Sequence, residues 1–273
     1  MTNTPDRRRP APVSPPLYVT VSVVIPVKND AVALTRCLEA LDRQTRRPDE
    51  TIVVDNGSTD ASATIARRSG ARVVECRRPG IPAASALGYD AATGEVILRL
   101  DADCLPDPTW VETVLAAFAR HPDAAAFTGG ARFVDGPRML RRPLAAVYLL
   151  AYALATTPAL GHLPLFGSNV ALRRSAWNDV RSTVHRHDAT LHDDFDLAFH
   201  LGERHRIRRL PVAAMGMSMR PFASASGFAR RIGRGFRTVT VHWPHDFPPQ
   251  RWRRVARHRR HLRSARPGAR GTR

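Results

Sequence analysis

Lysine is nearly missing from this 273-residue chain: Lys28 is the only one among 42 basic side chains. The rest are arginines, a bias that codon usage produces as readily as arginine chemistry does, so no single arginine is a strong functional signal. Acids are few as well, 24 in all, leaving a formal net charge of +18. Such a surplus invites a nucleic-acid partner, because basic surfaces release counterions from polyanions. Its distribution argues against one. Ten arginines and no acid occupy residues 251–273, and Arg7, Arg8 and Arg9 stand in a proline-rich stretch, so much of the excess belongs to the ends. Apart from Trp252 no aromatic residue is interleaved with the C-terminal charge, and no base-reading motif accompanies it.

Cysteine is sparse too. Cys37, Cys76 and Cys104 are odd in number, far apart and without a CxxC pair, so neither a disulfide framework nor a zinc site is indicated, and a reducing cytoplasm fits. No apolar secretory segment opens the chain, and residues 1–19 read as a disordered leader. A GxxxxGK[ST] loop and a GxGxxG turn are both lacking, so phosphate binding needs help from something other than a glycine cradle. No repeat of solenoid length occurs. A 43% hydrophobic content is nevertheless ample for a core.

What the chain does contain is alternation. The β-branched run VSVVIPV (21–27) is long enough for a strand buried on both faces, and Asn29 or Asp30 can cap the helix that follows. TIVVD (51–55), ARVVE (71–75) and EVILRL (95–100) are further strands, separated by helices over ASATIARRSG and residues 82–93. A helix from about Asp107 to Arg120 and a strand around AAAFTGG continue the pattern, which weakens after Gly136. Strands alternating with helices imply a mostly parallel, twisted sheet, and ligands gather at the carboxyl ends of its strands. Asp55 ends the second strand there, and Asp101 and Asp103 end the fourth. Two residues apart in extended chain, Asp101 and Asp103 face the same side, and their repulsion raises one pKa unless a hard cation neutralises both. The plainer alternative makes Asp101 a helix cap and Asp103 a solvated acid.

VSVVIPVKND, IVVDNGSTD, GIPAASALGYDAATGEVILRLDADC, GSNVALRRSAW and HDDFDLAFHL together resemble, in order and spacing, the family 2 glycosyltransferases over residues 20–215. The resemblance implies an α/β GT-A fold: a Rossmann-like, mostly parallel twisted sheet with helices on both faces, a less regular acceptor-side half and, in this chain, a basic C-terminal tail. It implies a metal-dependent, inverting transferase of hexosyltransferase type, moving one sugar from a nucleotide-diphosphate sugar to an acceptor hydroxyl. Pro26, Val27 and Asn29 then line the nucleotide pocket, Asp55 accepts a hydrogen bond from the donor's base, and Arg78, Gly167 and Asn169 complete the donor site. A carboxylate only accepts, whereas uracil, thymine and guanine each offer a ring N–H, so the Asp55 role is chemically sound. Asp103 becomes the main ligand of Mg2+ or Mn2+, Asp101 a contact to the ion or the ribose, and His242 a late metal ligand. Such an ion stabilises the departing diphosphate. Asp194 becomes the general base, with Asp193 at the position of the usual glutamate.

Departures from the family pattern matter as much. Ala84-Ser85-Ala86 stands where many relatives carry Ala-Arg-Asn, which leaves a diphosphate or acceptor contact to Arg77 or Arg78. His192 and Asp193 replace a commoner Thr or Pro followed by Glu, and no QxxRW element follows, so a single transfer is expected rather than polymer extension. Asp193, Asp194 and Asp196 also suit a helix N-terminus electrostatically. His185, His187 and His192, with Asp188 nearby, could suggest a metal site, but an HxH pair in a polar loop is more often solvated, and that is the expectation.

Residues 143–172 contain no Asp, Glu, Lys or Arg. Pro158, Gly161 and Pro164 interrupt this stretch, leaving roughly 14 clean residues where a membrane span needs ~20. One crossing would also put Asp101 and Asp103 on the opposite side of a bilayer from Asp194. An interfacial or re-entrant helix is therefore expected, against a buried core helix as the alternative. The basic tail supports attachment, at ~1 kcal/mol per basic residue near an anionic leaflet. The expectation is a cytoplasmic enzyme peripheral to the inner membrane face, acting on a lipid-linked or membrane-embedded acceptor. The segments anticipated are the leader, a donor-binding half (20–136), an acceptor-side half (137–215), a helical segment (216–250) and the basic tail (251–273). Two rivals stand beside this reading: a nucleotidyltransferase, and a nucleic-acid-binding protein on an inactive transferase fold.

Overall fold

The apolar runs that stop on acids become the strands of one sheet. The computed structural model describes residues 19–222 and 224–264. Its first half alternates β1 (Val21–Val27), α1 (Ala31–Asp42), β2 (Glu50–Asp55), α2 (Ser62–Arg68), β3 (Arg72–Glu75), α3 (Ile81–Ala91) and β4 (Val96–Arg99). β5 (Leu105–Pro106), α4 (Trp110–Arg120), β6 (Ala126–Phe133), α5 (Arg141–Leu160), β7 (Val170–Arg173), α6 (Arg174–Val180), α7 (Asp193–Arg204), β8 (Ile207–Met217), α8 (Ala225–Val241) and α9 (Pro248–Ser264) follow. Among the described residues the sheet has eight strands in the order β3-β2-β1-β4-β7-β6-β8-β5.

β1 to β4 are parallel, as the alternation predicts, with Val27 level with Asp55 and Val24 level with Arg99. The second half is mixed: β7 runs antiparallel to both β4 and β6, whereas β6 and β8 are parallel. Period-two alternation sends Val21, Val23, Ile25 and Val27 of β1 into a core with Leu34, Leu38, Trp110 and Val114, while Val24 joins Tyr89, Trp177, Phe195 and Phe199. Helices thus cover both faces, and the two cores are separate.

Three expectations are corrected. The helix α5 is continuous through Pro158, which falls in its last turn, and Gly161 closes it at φ 74° with its N–H on the Thr157 carbonyl. Asp30 precedes α1 without capping it by its side chain. Asp60 accepts the Ala31 N–H instead, at 3.0 Å. Residues 248–264 form α9 rather than a tail. This helix is docked by a completely buried guanidinium, Arg251, which donates to the carbonyls of Leu160 and Phe199 at 2.8 and 2.7 Å and pairs with Asp246 at 3.1 Å. Residues 265–273 and the leader through residue 18 lie outside the described residues.

α5 starts after β6 and ends before β7, and these strands pair with each other. A single membrane crossing by α5 would tear that pairing apart, so the helix does not span.

Candidate active site

β1, β2 and β4 deliver their carboxyl ends to one rim. Asp55 is buried there, and its Oδ1 accepts the Ser58 N–H at 3.0 Å, shaping the turn after β2. That turn is tied to the end of β1: Asn29, at φ 51°, accepts the Thr59 N–H at 2.7 Å and donates its own N–H to Ser58 Oγ at 3.0 Å. Pro26 is half-buried beside it. Val27 is buried in the core and its carbonyl takes the Asn56 N–H, so little of it faces a ligand. Arg78 contributes its carbonyl to Asn56 Nδ2, while the residue is exposed.

Antiparallel pairing of β7 with β4 sets Val170 opposite Arg99, which brings the 3-10 turn Gly167–Asn169 to the acid pair. Ser168 Oγ donates to Asp101 Oδ2 at 2.6 Å. Arg99 is only 3% exposed, a cation inside a strand of apolar residues, and one of its nitrogens reaches two acids: Asp101 Oδ1 at 2.9 Å and Asp193 Oδ2 at 3.3 Å. Asp193 also accepts from Ser85 Oγ at 2.7 Å. Ser85 therefore braces the first acid of α7. Asp194 Oδ2 accepts the Gly167 N–H at 2.8 Å. A Cβ on Gly167 would lie 2.2 Å from an Arg99 nitrogen and 3.0 Å from Asp194, so only glycine allows this approach.

Charge at this rim is unbalanced. Asp30, Asp101, Asp103, Asp193 and Asp194 face two guanidiniums, Arg99 and Arg220. Arg220, carried between β8 and α8, lies 2.8 Å from Asp103 and 2.6 Å from Asp30. Even so, burial and the neighbouring Asp101 charge hold the Asp103 pKa above its ordinary value. Asp194 is likewise raised, by burial first and by Asp193 second. The oxygens of Asp101 and Asp103 therefore fit a hard divalent cation, which would relieve the excess. Buried Cys104 lies within reach of the pair; burial pushes its thiol pKa well up, and a hard cation prefers the carboxylate oxygens to sulfur.

Two sequence-predicted residues do not join the site. Asn169 is fully buried, accepting from Trp110 Nε1 and donating to the Gly130 carbonyl at 2.9 Å each, so it holds the turn from behind. His242 stacks on Phe199 and faces Asp196, in a cluster that shares no residue with Asp101 and Asp103. Sequence reasoning missed Arg99 and Arg220, and marked Ser85 only as a departure from the family pattern. Arg99 alone gave a signal, since a charge in a strand buried on both faces demands a partner.

A model of glycosyl transferase family 2 matches residues 22–180, more than half of the chain. The chain belongs to glycosyl transferase family 2. Within the family, the pre-mycofactocin glycosyltransferase of Mycobacterium tuberculosis is 29% identical over 214 residues, 75% of this chain and 44% of that protein. Glycosyltransferase AglE of Haloferax volcanii is 37% identical over 100 residues, covering 34% and 33%. The undecaprenyl-phosphate 4-deoxy-4-formamido-L-arabinose transferase of Pseudomonas fluorescens is 35% identical over 106 residues, covering 35% and 31%. The chain thus spans between 31% and 44% of these relatives' lengths. Among solved structures, the mannosyltransferase PcManGT of Pyrobaculum calidifontis, in complex with GDP-Man and Mn2+, superposes with a TM-score of 0.60 at 20% identity, covering 96% of this chain and 80% of that one. Glucosyl-3-phosphoglycerate synthase of M. tuberculosis, with Mn2+, UDP-glucose and phosphoglyceric acid, gives 0.54 at 23% identity, covering 81% and 80%. At such identities the likeness is one of fold, and the GT-A fold expected of this family member is present.

Proposed function

We propose that this family 2 member is an inverting glycosyltransferase that moves one hexosyl unit from a nucleotide-diphosphate sugar to an acceptor hydroxyl. The observation that carries the proposal is the Arg99 bridge, which binds Asp101 on the donor rim to Asp193 at the head of α7, beside Asp194. One buried cation thereby joins the two acid groups that donor binding and acceptor activation require. In this reading Asp55 takes a ring N–H of the donor's base with the oxygen not used on Ser58. Asp101 and Asp103 would hold Mg2+ or Mn2+, which when bound offsets the charge left on the departing diphosphate. Asp194 removes the acceptor proton. Its raised pKa makes it a stronger base than an ordinary carboxylate, and the Gly167 N–H fixes its orientation.

A panel of nucleotide sugars, assayed for binding and transfer with and without Mn2+, tests this. One donor should bind in a metal-dependent way, Asp103→Ala should lose that binding, and Asp194→Asn should keep binding but lose transfer. Normal transfer by Asp194→Asn would remove it as the base.

The acceptor reading rests on surface character. Leu144, Val147, Leu150 and Leu154 of α5 are exposed, and so are Phe228, Ile232 and Phe236 of α8. The two helices are neighbours, since Arg231 of α8 donates to the Tyr148 hydroxyl of α5. Exposed apolar stripes on adjacent helices favour a lipid surface over a core role for α5. We therefore place the enzyme at the cytoplasmic membrane face, with an acceptor held in or linked to lipid. Flotation with anionic vesicles checks it: Val147→Asp with Leu154→Asp should abolish association and spare donor binding. A wild-type chain that stays unbound at low salt would refute the placement.

A further inference from the structure

Asp196 sits one turn beyond Asp193 on α7, buried at 4% exposure, and three imidazoles from separate segments close on it. Its Oδ1 is 2.7 Å from His185 Nδ1, 3.2 Å from His242 Nε2 and 3.6 Å from His200 Nε2. The ring centroids lie 5.0 to 5.6 Å apart. His185 precedes α7, His200 follows Asp196 by four residues on the same helix face, and His242 caps the end of α8.

Hydrogen bonding satisfies His185, whose Nδ1 pairs with Asp196 Oδ1, but leaves the other two rings of this cluster unsatisfied. His242 Nδ1 lies 2.7 Å from the Thr238 carbonyl, an acceptor, so Nδ1 carries the proton. In a neutral ring Nε2 then presents a lone pair to a carboxylate oxygen. That nitrogen is buried and makes no hydrogen bond, and His200 Nε2 is in the same position. Protonating both rings would crowd cations around one carboxylate without aligning either N–H on it. A metal ion meets every requirement at once, because it accepts lone pairs from all the ring nitrogens and the carboxylate together.

We propose that His185, Asp196, His200 and His242 form a second metal site, separate from the Asp101–Asp103 pair and suited to Zn2+. One ligand atom from each residue lies within 4.8 Å of the others. A tetrahedral zinc with ligands at ~2.0–2.1 Å has ligand–ligand edges of about 3.3 Å, and the three distances from Asp196 Oδ1 bracket that value. The outer contacts match too. His242 Nδ1–H donates to a backbone carbonyl, as ligating histidines characteristically do, and Asp196 Oδ2 accepts the His185 backbone N–H at 2.8 Å. Three nitrogens and one oxygen select zinc over Mg2+, which takes oxygen ligands. The ion would staple the end of α8 and the segment before α7 to α7 itself, fixing the helix whose first turn carries Asp193 and Asp194.

Untagged full-length chain, prepared in zinc-supplemented medium and dialysed, should carry one Zn2+ by elemental analysis. An Asp101→Asn, Asp103→Asn variant should keep that zinc, whereas His200→Gln and His242→Gln should lose it. Chelation should lower Tm by about 5 °C or more, with recovery on adding Zn2+ alone. Cobalt in place of zinc decides the matter without any substitution: the wild-type chain should show the intense visible bands of tetrahedral Co2+. Weak octahedral bands, no cobalt binding, or zinc that disappears only in the Asp101→Asn, Asp103→Asn variant would overturn the proposal. These readouts are independent of sugar transfer, so the site stands or falls apart from the proposed activity.

Discussion

Replacing Arg99 with methionine keeps a long apolar stem in β4 and removes the charge that joins Asp101 to Asp193. Taking one member from a buried ion pair costs ~3–5 kcal/mol, because the remaining charge stays desolvated without a partner. Here the Asp101 side chain is 34% exposed and that of Asp193 15%, so water relieves part of the penalty. The lower end, about 3 kcal/mol, is the expected loss. For a chain of this size that corresponds to a fall in Tm of ~6–10 °C. Urea unfolding of Arg99→Met, Asp193→Asn and the double variant closes a thermodynamic cycle. Neutralising Asp193 removes one of the stranded charges, so the double variant should be less destabilised than the sum of the singles by ~1–2 kcal/mol. A single-variant loss below ~1 kcal/mol, or strict additivity, would refute the bridge as the link between the two acid groups.

Other outcomes follow from the same geometry. Gly167→Ala should cut transfer at least ten-fold while leaving the fold intact by circular dichroism, since a Cβ there collides with Arg99 and crowds Asp194. Arg220→Met should tighten Mn2+ binding by about five-fold in calorimetric titration, because a guanidinium no longer competes for Asp103. The half-exposed pair is worth ~1 kcal/mol. His162 is buried and neutral: Nδ1 sits on the Leu163 carbonyl and Nε2 faces an Arg251 nitrogen at 3.2 Å. Burial, helped by Arg251, lowers its pKa from 6.5 to about 4. The unfolded chain therefore binds this proton first, and the stability linked to it is complete above pH 6.5 and lost as pH falls toward 4, up to ~3 kcal/mol. In urea unfolding at pH 7 and 4.5, His162→Asn should lower stability overall yet abolish that component of the pH step. An unchanged step would show that His162 is not its source.

How far the sequence could be read depended on whether burial left a pattern. β1, β2 and β4 were legible because strands covered on both faces are continuous apolar runs, and their terminal acids marked the rim. β7 was not, since VALR is short and lay inside a stretch whose chemistry, not its conformation, had been recognised. β8 carries Arg208 and Arg209 among apolar residues, so neither period stands out. Asp55, Asp101, Asp103, Asp193 and Asp194 were all marked in the sequence. The residues that assemble them were not, because Arg99, Ser85 and Arg220 act across separations of about 90 to 190 positions. Asn169 and His242 show the converse. Each has the right chemistry for the rim at Asp101 and Asp103, but packing turned Asn169 toward Trp110 and His242 away from that rim, toward Asp196. The arginine-rich end was misjudged because composition cannot tell a solvated cation from one sealed at 0% exposure.

That sealed cation, Arg251, grips the final carbonyl of α5 with one arm and the middle of α7 with another. The apolar helix and the helix headed by Asp193 are thereby pinned to a common pivot, and neither can slide without stranding a charge in the interior. Cutting the chain at residue 247 would extract a wedge from between working parts, and the damage should surface more than fifty residues upstream of the cut, where α7 begins.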